Sequence, residues 1–406
     1  MIRCVKCEQV HAITKSGIVR GRQRYYCKDC KMYFTINDKK VLLSATKQNH
    51  LPTIRDIALA LNISKSTVSR ALQAHSEINE STRKAVLDMA RRLNYHPNYL
   101  AKSLVNKKSN TIGIIVPEFV NHFFPTLIIG AHEVATKAGY NVIICQSQES
   151  LKTEIANVNV LLSSRVDGVI ISMTRQTKNI EHFKSFEHLS IPIVFFNRVC
   201  EAMDTSRVTV NDYEGAFKGV EHLIKNGFKK IAHIGGPLNL SLSRNRLNGY
   251  LDALKKYKIA ADKKYIIPYD FSNKNAREIA EKLLRMKQRP DAIFCLNDVC
   301  TTQTLVVAKE MGINVPQELG IVGFSNNPLS AYIEPGLTSI EQPVHEMGRT
   351  AMRLLIDHIE KGFGNYTSMH KILPTKLVIR QSSVKKSLSI KRVRKQKSRM
   401  VILDKV

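Results

Sequence analysis

The sequence predicts an α/β protein whose core has two lobes, each built on a doubly wound parallel sheet. An all-α helix-turn-helix headpiece and a small four-cysteine module precede this core. Three observations support the prediction. From Ile112 onward, short apolar segments alternate with helical periodicity, which is typical of parallel strands covered by helices on both faces. Residues 53–72 have the pattern of two short helices joined by a tight turn. Two Cys-x2-Cys pairs lie within the first 30 residues.

Length and charge restrict the class of protein. The chain has 406 residues and is 43% hydrophobic, so it is globular and long enough for two or three domains. Of its net charge of +28, residues 1–110 contribute 21 basic and 7 acidic side chains, and residues 383–406 contribute 9 and 1. Positive charge at both ends indicates binding to the nucleic-acid backbone. A membrane surface is the alternative partner, but no basic amphipathic helix or lipidation signal supports it.

The N-terminus has no apolar signal segment, and no apolar run is long enough to span a bilayer. We therefore expect a cytoplasmic protein without a membrane partner. In that compartment the eight cysteines are not expected to form disulfides. Four of them read as reduced structural thiols, Cys145, Cys200, Cys295 and Cys300.

The other four cysteines have the spacing of a metal site. Nineteen residues separate Cys4-x2-Cys7 from Cys27-x2-Cys30, as in four-cysteine zinc sites. Four thiolates hold a tetrahedral zinc ion, which replaces a core that a segment of this length cannot build. A ribbon without metal, a redox dithiol pair and an iron–sulfur cluster are the alternatives. The sequence predicts a structural zinc ribbon over residues 1–36, and its basic hairpin is a candidate DNA contact.

Residues 52–97 are predicted to form the helix-turn-helix headpiece, after a linker at 37–51. Thr53 and Asp56 form a capping-box pattern at the start of the first helix, and Ser64 can cap the second. The outer face of the second helix is polar and basic: Lys65, Ser66, Ser69, Arg70 and Gln73. This layout is that of a DNA-reading helix-turn-helix. On pattern alone, an ordinary amphipathic helix pair fits equally well.

The rest of the chain divides at the following predicted boundaries. Residues 98–110 read as a hinge helix and linker, and the nine-residue helical pattern at 98–106 needs a partner because so short a helix is marginal in water. The core spans 111–382, with an N-lobe over 111–209 and 344–371 and a C-lobe over 210–340 and 372–382. Residues 383–406 form a basic tail, expected to be disordered and either solvated or in contact with DNA.

Polar residues follow the predicted core strands, and ligands in such sheets bind beyond the strand C-termini. We therefore expect a cleft between the lobes, lined by residues from this set: Glu118, Gln148, Asn197, Arg198, Arg244, Asn297, Asp298, Ser325 and Asn326.

Over residues 52–382 the chain resembles the lactose-repressor (LacI/GalR) family of bacterial transcription regulators. The resemblance is carried by TIRDIALALNISKSTVSRAL, INESTRKAVLDMARRLNYHPNYLAKSL, RVDGVIIS, GVEHLIKNGFKKIAHIGGP and VPQELGIVGFSN. It implies a helix-turn-helix headpiece, a hinge helix and a core similar to periplasmic sugar-binding proteins. Separately, GRQRYYCKDCKMYFT resembles the N-terminal zinc ribbon of insertion-sequence transposases.

For DNA binding, the resemblance implies that Lys65, Ser66 and Arg70 contact base edges in the major groove. Phosphate contacts are implied for Thr53, Thr67 and Ser69. Leu104 matches the hinge leucine, an apolar wedge that enters the minor groove and kinks the duplex. Packing within the domain is the alternative role of Leu104.

For the effector, Arg244 matches the ligand-gripping arginine of the family, since a guanidinium can hold two hydroxyls or a carboxylate. Phe123, Phe124 and Tyr250 are candidate stacking surfaces. Other cleft positions are matched by Asn197, Arg198, Asn297, Asp298 and Gln342. Ser325 stands where many members have aspartate, which removes a charge from the pocket. The zinc ribbon is a second departure from the family.

The sequence therefore predicts a homodimeric, sequence-specific repressor. It would bind a pseudo-palindromic DNA operator under the control of a small-molecule effector, a sugar or sugar derivative bound between the lobes. No catalytic motif is present, so no enzymatic activity is expected. The alternatives are a solute-binding receptor with the same core and a zinc-ribbon DNA-processing enzyme.

Overall fold

The structure of the protein is a computed structural model. It describes residues 2, 4, 6, 7, 10, 12–19, 22–35, 51–96 and 108–385. The chain divides into two compact units, Met1–Lys102 and Ser103–Val406. Residues 37–50 of the predicted linker, the predicted hinge helix with Leu104 and positions 386–406 of the predicted tail lie outside the described residues.

The N-terminal module is a three-stranded antiparallel sheet. Its strands are Ile13–Val19 (β1), Arg22–Cys27 (β2) and Met32–Thr35 (β3), in the order β1-β2-β3. Cys4, Cys27 and Phe34 are buried together. This core is small.

Three helices form the headpiece, Ile54–Leu61 (α1), Lys65–Leu72 (α2) and Glu80–Arg92 (α3). The Asp56 carboxylate accepts hydrogen bonds from the backbone and hydroxyl of Thr53, both at 2.8 Å. Asn62 ends α1 in the left-handed conformation, with φ of 54°, which directs the chain into α2. Ile57, Val68 and Val86 are fully buried and join the three helices. The predicted helix-turn-helix is present.

The core elements follow in chain order. Residues 111–210 form Thr111–Val116 (β4), Phe123–Lys137 (α4), Asn141–Gln146 (β5), Leu151–Ser163 (α5), Gly168–Ile171 (β6), Glu181–His188 (α6), Ile193–Phe196 (β7) and Ser206–Val210 (β8). Residues 212–341 form Asp212–Lys225 (α7), Ile231–Gly235 (β9), Ser241–Lys256 (α8), Ile266–Pro268 (β10), Asn273–Leu284 (α9), Ala292–Cys295 (β11), Asp298–Glu310 (α10), Gly320–Ser325 (β12) and Thr338–Glu341 (β13). The last elements are Val344–Lys361 (α11), His370–Leu373 (β14) and Lys376–Val378 (β15). Short 3-10 turns occur at Lys263–Tyr265, Pro328–Ala331 and Gln381–Ser383.

Two six-stranded sheets define the two predicted lobes. The N-lobe sheet is fully parallel, in the order β14-β8-β7-β6-β4-β5. The C-lobe sheet has the order β10-β9-β11-β12-β13-β15, and only β15 runs antiparallel. Each sheet is covered by helices, which explains why the strands are apolar on both faces. The two-lobed parallel α/β core is confirmed.

The chain passes between the lobes three times, after β8, after β13 and after β14. Because β8 and β14 belong entirely to the N-lobe sheet, these passages fall slightly later than the predicted boundaries at 209 and 371. The core also continues into the predicted tail. Ser383 is fully buried and bonds to His222 at 2.8 Å and to Thr338 at 2.6 Å. Within the described ranges, no helix has the length and apolar character needed to cross a bilayer.

Candidate functional site

The outer face of α2 presents the predicted DNA-reading side chains to solvent. Lys65, Ser66 and Arg70 are exposed, and Thr67 and Ser69 are half-buried. The Ser64 hydroxyl caps the helix by accepting from the Thr67 amide at 3.0 Å. Such a cap leaves the helix N-terminus rigid and electropositive, which suits a phosphate. Thr53 is also exposed, at the start of α1.

Arg70 has a partner within the headpiece. Its Nη1 lies 3.0 Å from Oε2 of Glu77, and both side chains are more than half exposed. An exposed pair of this kind contributes at most about 1 kcal/mol to stability. The pair is therefore weak enough for Arg70 to exchange Glu77 for a DNA base or a phosphate.

The four N-terminal cysteines converge as predicted. All four sulfur atoms lie within 4.8 Å of one another, and Sγ–Sγ distances are 3.3 Å for Cys4–Cys30 and 3.6 Å for Cys7–Cys27. Four sulfurs at the Zn–S distance of about 2.3 Å in a tetrahedron would be about 3.8 Å apart, so the cluster fits a zinc ion. The Lys6 amide points to Cys4 Sγ at 3.5 Å, and backbone amides lower the pKa of Cys4 to about 6. The pKa of Cys30 is raised, chiefly by its hydrogen bond with Cys4, so Cys4 carries the thiolate of this pair.

A cavity of about 340 Å³ lies between the two lobes, beyond the C-terminal ends of the strands. Most of the predicted cleft and effector residues line it: Glu118, Phe123, Phe124, Asn197, Arg198, Asn297, Asp298, Ser325 and Gln342. Four predicted residues do not: Gln148, Arg244, Tyr250 and Asn326. The walls also include residues that were not named in advance as effector ligands, notably Glu149, Arg246, Phe271 and Asn273.

Contacts with Glu149 and Phe271 fix the position of the Arg198 side chain inside this cleft. Its Nη1 donates to both carboxylate oxygens of Glu149, at 2.7 and 2.8 Å, and its guanidinium lies 4.5 Å from the ring centre of Phe271. Arg198 and Glu149 follow strands of the N-lobe, whereas Phe271 belongs to the C-lobe. The stack therefore bridges the two lobes.

The arginine of the C-lobe that faces the cleft is Arg246, not Arg244. Arg246 is buried, donates to Asp212 from Nε at 2.8 Å and to the Leu296 carbonyl at 2.5 Å, and stacks 3.6 Å from Phe324. Burial raises the pKa of Asp212, and Arg246 opposes that shift.

Arg244 lies outside the cavity lining. It pairs with Glu201 and donates to the carbonyls of Leu238 and Asn239. Residues two apart on a helix point about 200° apart, so these two arginines leave α8 on nearly opposite sides. Arg244 instead links the C-lobe to the N-lobe through its ion pair with Glu201.

Several cleft side chains are held by the protein itself. Asp298 accepts from the Ser339 hydroxyl and the Asn327 amide, both at 2.6 Å, and burial raises its pKa. Asn297 Oδ1 accepts from the Cys300 amide at 3.0 Å and caps α10. These two residues thus shape the wall as well as line it.

Gln342 is the most available of the predicted ligands. Its Nε2 donates to the Ser325 hydroxyl at 3.0 Å, while its Oε1 is buried without a partner among the described residues. Tyr250, by contrast, is fully buried and donates to the Ile231 carbonyl at 2.8 Å. Tyr250 therefore belongs to the C-lobe core and offers no surface to a ligand.

A helix-turn-helix domain joined to a two-lobed α/β core with a polar cleft defines the class of ligand-responsive DNA-binding regulators. Two family models match the chain: bacterial regulatory proteins of the lacI family at residues 53–98 and a periplasmic binding protein-like domain at residues 220–383. Catabolite control protein A of Priestia megaterium is 33% identical over 82% of this chain and 99% of its own length. The transcriptional repressor CytR of Escherichia coli K12 is 32% identical over 84% and 99%.

Solved structures of regulators are also similar to this chain. The lac repressor dimer bound to operator and an anti-inducer has a TM-score of 0.74 at 25% identity, over 83% of this chain and 100% of that one. A LacI family regulator of Enterococcus faecium with bound ribose has a TM-score of 0.60 at 26% identity, over 68% and 100%. The chain belongs to the lacI family of bacterial regulatory proteins. It is a DNA-binding transcriptional repressor under effector control, and it is not an enzyme. The four-cysteine module lies outside both family matches.

Proposed function

We propose that this repressor binds a pseudo-palindromic operator as a homodimer and that α2 of each protomer reads one half-site. Lys65, Ser66 and Arg70 contact base edges, and Thr53, Thr67 and Ser69 contact phosphates. Leu104 supplies the wedge at the operator centre. The orientation of α2 supports this assignment. Its basic face is exposed to solvent, and its apolar face packs into the core of the headpiece.

The effector is a neutral polyhydroxy compound, a sugar or a sugar derivative. The observation that carries this proposal is the pairing of cleft charges: Arg198 with Glu149, and Arg246 with Asp212. A phosphate or carboxylate ligand needs a cation that is not already neutralised, and both cleft arginines are neutralised. Amide groups of Asn197, Asn297 and Gln342 offer the mixed donors and acceptors that hydroxyls require.

Two further facts favour a carbohydrate. A volume of about 340 Å³ is in the range of small-molecule sites. Structures of relatives at 26% and 27% identity hold ribose and D-xylulofuranose. Ser325 in place of an acidic residue keeps the cleft free of an additional negative charge.

Effector and operator are coupled through the two lobes. A ligand in contact with Arg198 of the N-lobe and Asn273 of the C-lobe stabilises one relative position of the lobes. If operator binding prefers one such position, each ligand changes the affinity of the other by the same factor.

The test is thermal stability of the full-length protein with ribose, xylulose and cellobiose, each compared with a phosphorylated sugar such as ribose 5-phosphate. We expect a neutral sugar to raise the Tm of the protein and the phosphorylated sugars to leave it unchanged. An operator duplex is then selected by the protein from a random pool. Adding the sugar that binds should change the affinity of the protein for this duplex. Stabilisation by the phosphates alone would contradict the neutral-ligand proposal.

The cysteine cluster is proposed to hold a structural zinc ion. Cys4, Cys7, Cys27 and Cys30 would supply the four thiolates, and the ion would cross-link the N-terminal segment to β2 and β3. The short sulfur–sulfur distances support this proposal.

A further inference from the structure

The three-stranded ribbon sheet has one face that its cysteine cluster does not use. Tyr25 pairs with Phe34 across β2 and β3 and packs with the cysteines. Side chains alternate between the two faces of a sheet. The next pair, Tyr26 with Tyr33, therefore lies on the opposite face, together with Arg24 and its partner Thr35. We call these four residues the outer face.

The outer face is an ordered stack of aromatic and cationic groups. The Arg24 guanidinium lies 4.0 Å from the ring centre of Tyr33, and the rings of Tyr33 and Tyr26 are 4.6 Å apart. Tyr33 is 49% exposed. A guanidinium placed over an aromatic ring can still donate its N–H groups to a carboxylate or a phosphate.

The surrounding charge favours a polyanion. Residues 1–35 contain eight basic and two acidic side chains. Exposed arginine, tyrosine and threonine are phosphate-binding groups in protein–DNA complexes. On a neutral segment, a stack of this kind would fit a protein partner equally well. The excess of basic side chains in residues 1–35 favours DNA over a protein.

We propose that the outer face of the ribbon binds double-stranded DNA beside the operator half-site and so extends the contact of the repressor. The inference rests on the operator binding proposed above. Fifteen residues separate Thr35 from Leu51, and such a segment spans at most about 50 Å. This reach corresponds to about 15 base pairs of B-form DNA. Tethering at that distance makes even a weak contact effective.

This contact would be specific to this chain among the relatives compared. The alignment with catabolite control protein A covers 99% of that protein but only 82% of this one. The lacI-family match itself begins at residue 53. The ribbon thus adds a surface to a headpiece that already binds DNA, rather than replacing one.

The experiment uses the full-length protein and a duplex that it selects from a random pool. Binding is measured on that duplex with its flanks and on the palindrome trimmed of its flanks, over a range of salt concentrations. The test variant is Arg24→Gln, and Arg24→Lys restores the charge. Lys274→Gln is the matched control, because it removes an exposed cation on α9 of the C-lobe.

We expect the wild type to protect DNA beyond the palindrome and to bind the flanked duplex more tightly. Loss of one phosphate contact lowers the slope of log K against log salt by about 0.9. Arg24→Gln should show this loss on the flanked duplex only, and Arg24→Lys and Lys274→Gln should keep the wild-type slope.

Zinc content is measured on every variant to show that the ribbon remains folded. If Arg24→Gln loses the metal, Thr35→Glu is the second test, because it places a carboxylate opposite Arg24 and should lower the same slope. Equal binding and equal footprints of wild type and variants would overturn the inference and leave the operator proposal intact. Selection of no duplex by any of the proteins would overturn both.

Discussion

Arg70 and Glu77 form an exposed ion pair on the headpiece, with 3.0 Å between Nη1 and Oε2. Arg70 lies on the proposed DNA-reading helix, and Glu77 lies in the turn before α3. The arginine proposed to read a base is therefore paired with a carboxylate in the absence of DNA. DNA binding must exchange this partner for a base or a phosphate.

The first prediction concerns this exchange. Arg70→Ala should weaken binding to the selected operator by roughly 1–3 kcal/mol and remove discrimination at one base pair, as expected for loss of a bidentate contact. Glu77→Gln should tighten binding by up to about 1 kcal/mol, because the exposed pair contributes no more than that. Fluorescence anisotropy with the operator and its single-base variants measures both effects.

Arg91→Ala is the control for that experiment, since Arg91 is an exposed cation on α3, paired with Asp88 at 2.8 Å. It should leave base discrimination unchanged. Equal discrimination by wild type and Arg70→Ala would mean that Arg70 does not read a base.

The second prediction separates the two arginines of α8. Arg246→Ala leaves the buried carboxylate of Asp212 without its cation, and breaking a buried pair in this way costs roughly 3–5 kcal/mol. Arg244→Ala removes a half-exposed pair and should cost less than about 1 kcal/mol. Urea unfolding of the two full-length variants provides the comparison.

Sugar binding should follow the same division. The Arg244→Ala protein should retain the sugar affinity of the wild type, because Arg244 is not part of the cavity lining. Loss of sugar binding in Arg244→Ala with a normal Tm would show that this side chain turns into the cleft when the ligand binds.

These two arginines show where prediction from sequence succeeds and where it fails. The cleft itself was predictable, because Asn197, Asn297 and Ser325 lie at or just after the ends of strands whose apolar pattern is evident, and parallel strands end at one edge. The choice of Arg246 depends on Asp212, which is 34 residues away. No local pattern reports such a pairing, and matching to a family motif selected the wrong face of α8.

Phe271 and Asn273 were missed for a related reason. They follow β10, which has only three residues, Ile266–Pro268, and is too short to be recognised by alternation or length. Likewise, the short strands β13, β14 and β15 acquire their conformation by pairing with distant strands. The four-cysteine cluster was accessible from sequence because cysteine spacing is a local signal.

The third prediction concerns the charge of the effector. Glu149→Gln leaves Arg198 without a carboxylate partner in the cleft. The variant should bind a phosphorylated sugar such as ribose 5-phosphate at least about tenfold more tightly than the wild type does, since a hydrogen bond to a charged group contributes about 1.5–3 kcal/mol. Binding of the neutral sugar should not gain. Isothermal titration with both ligands decides the outcome, and unchanged exclusion of phosphates would show that Arg198 is not what sets ligand charge.

The fourth prediction concerns stability at acid pH. His233 is fully buried between Tyr250 and Phe294, and burial lowers its pKa from 6.5 to about 4. Between those values the unfolded chain binds the proton and the folded chain does not. Stability is therefore retained above pH 6.5 and falls as the pH is lowered towards 4, by about 3 kcal/mol in total.

His233→Gln keeps a donor for the Phe294 carbonyl, which accepts from Nδ1 at 3.1 Å, but does not titrate. Urea unfolding at several pH values should show a shallower loss of stability for this variant than for the wild type. Parallel pH profiles would mean that His233 is protonated in the folded protein without cost.

The last prediction concerns the metal. Full-length protein should contain one zinc ion per chain, and Cys27→Ser should lose it, because a fully buried ligand of the cluster is removed. Cys145→Ser removes a half-buried thiol of β5, outside the cluster, and should keep the metal.

Zinc binding contributes roughly 10–16 kcal/mol to the folding of small zinc domains, which exceeds what Cys4, Cys27 and Phe34 can contribute as a core. In Cys27→Ser, trypsin should therefore cleave at the basic residues of the ribbon, while the headpiece and the two-lobed core, each with an apolar core of its own, resist as in the wild type. Absence of zinc from both variants, with equal digestion, would show that the cysteines hold no structural metal.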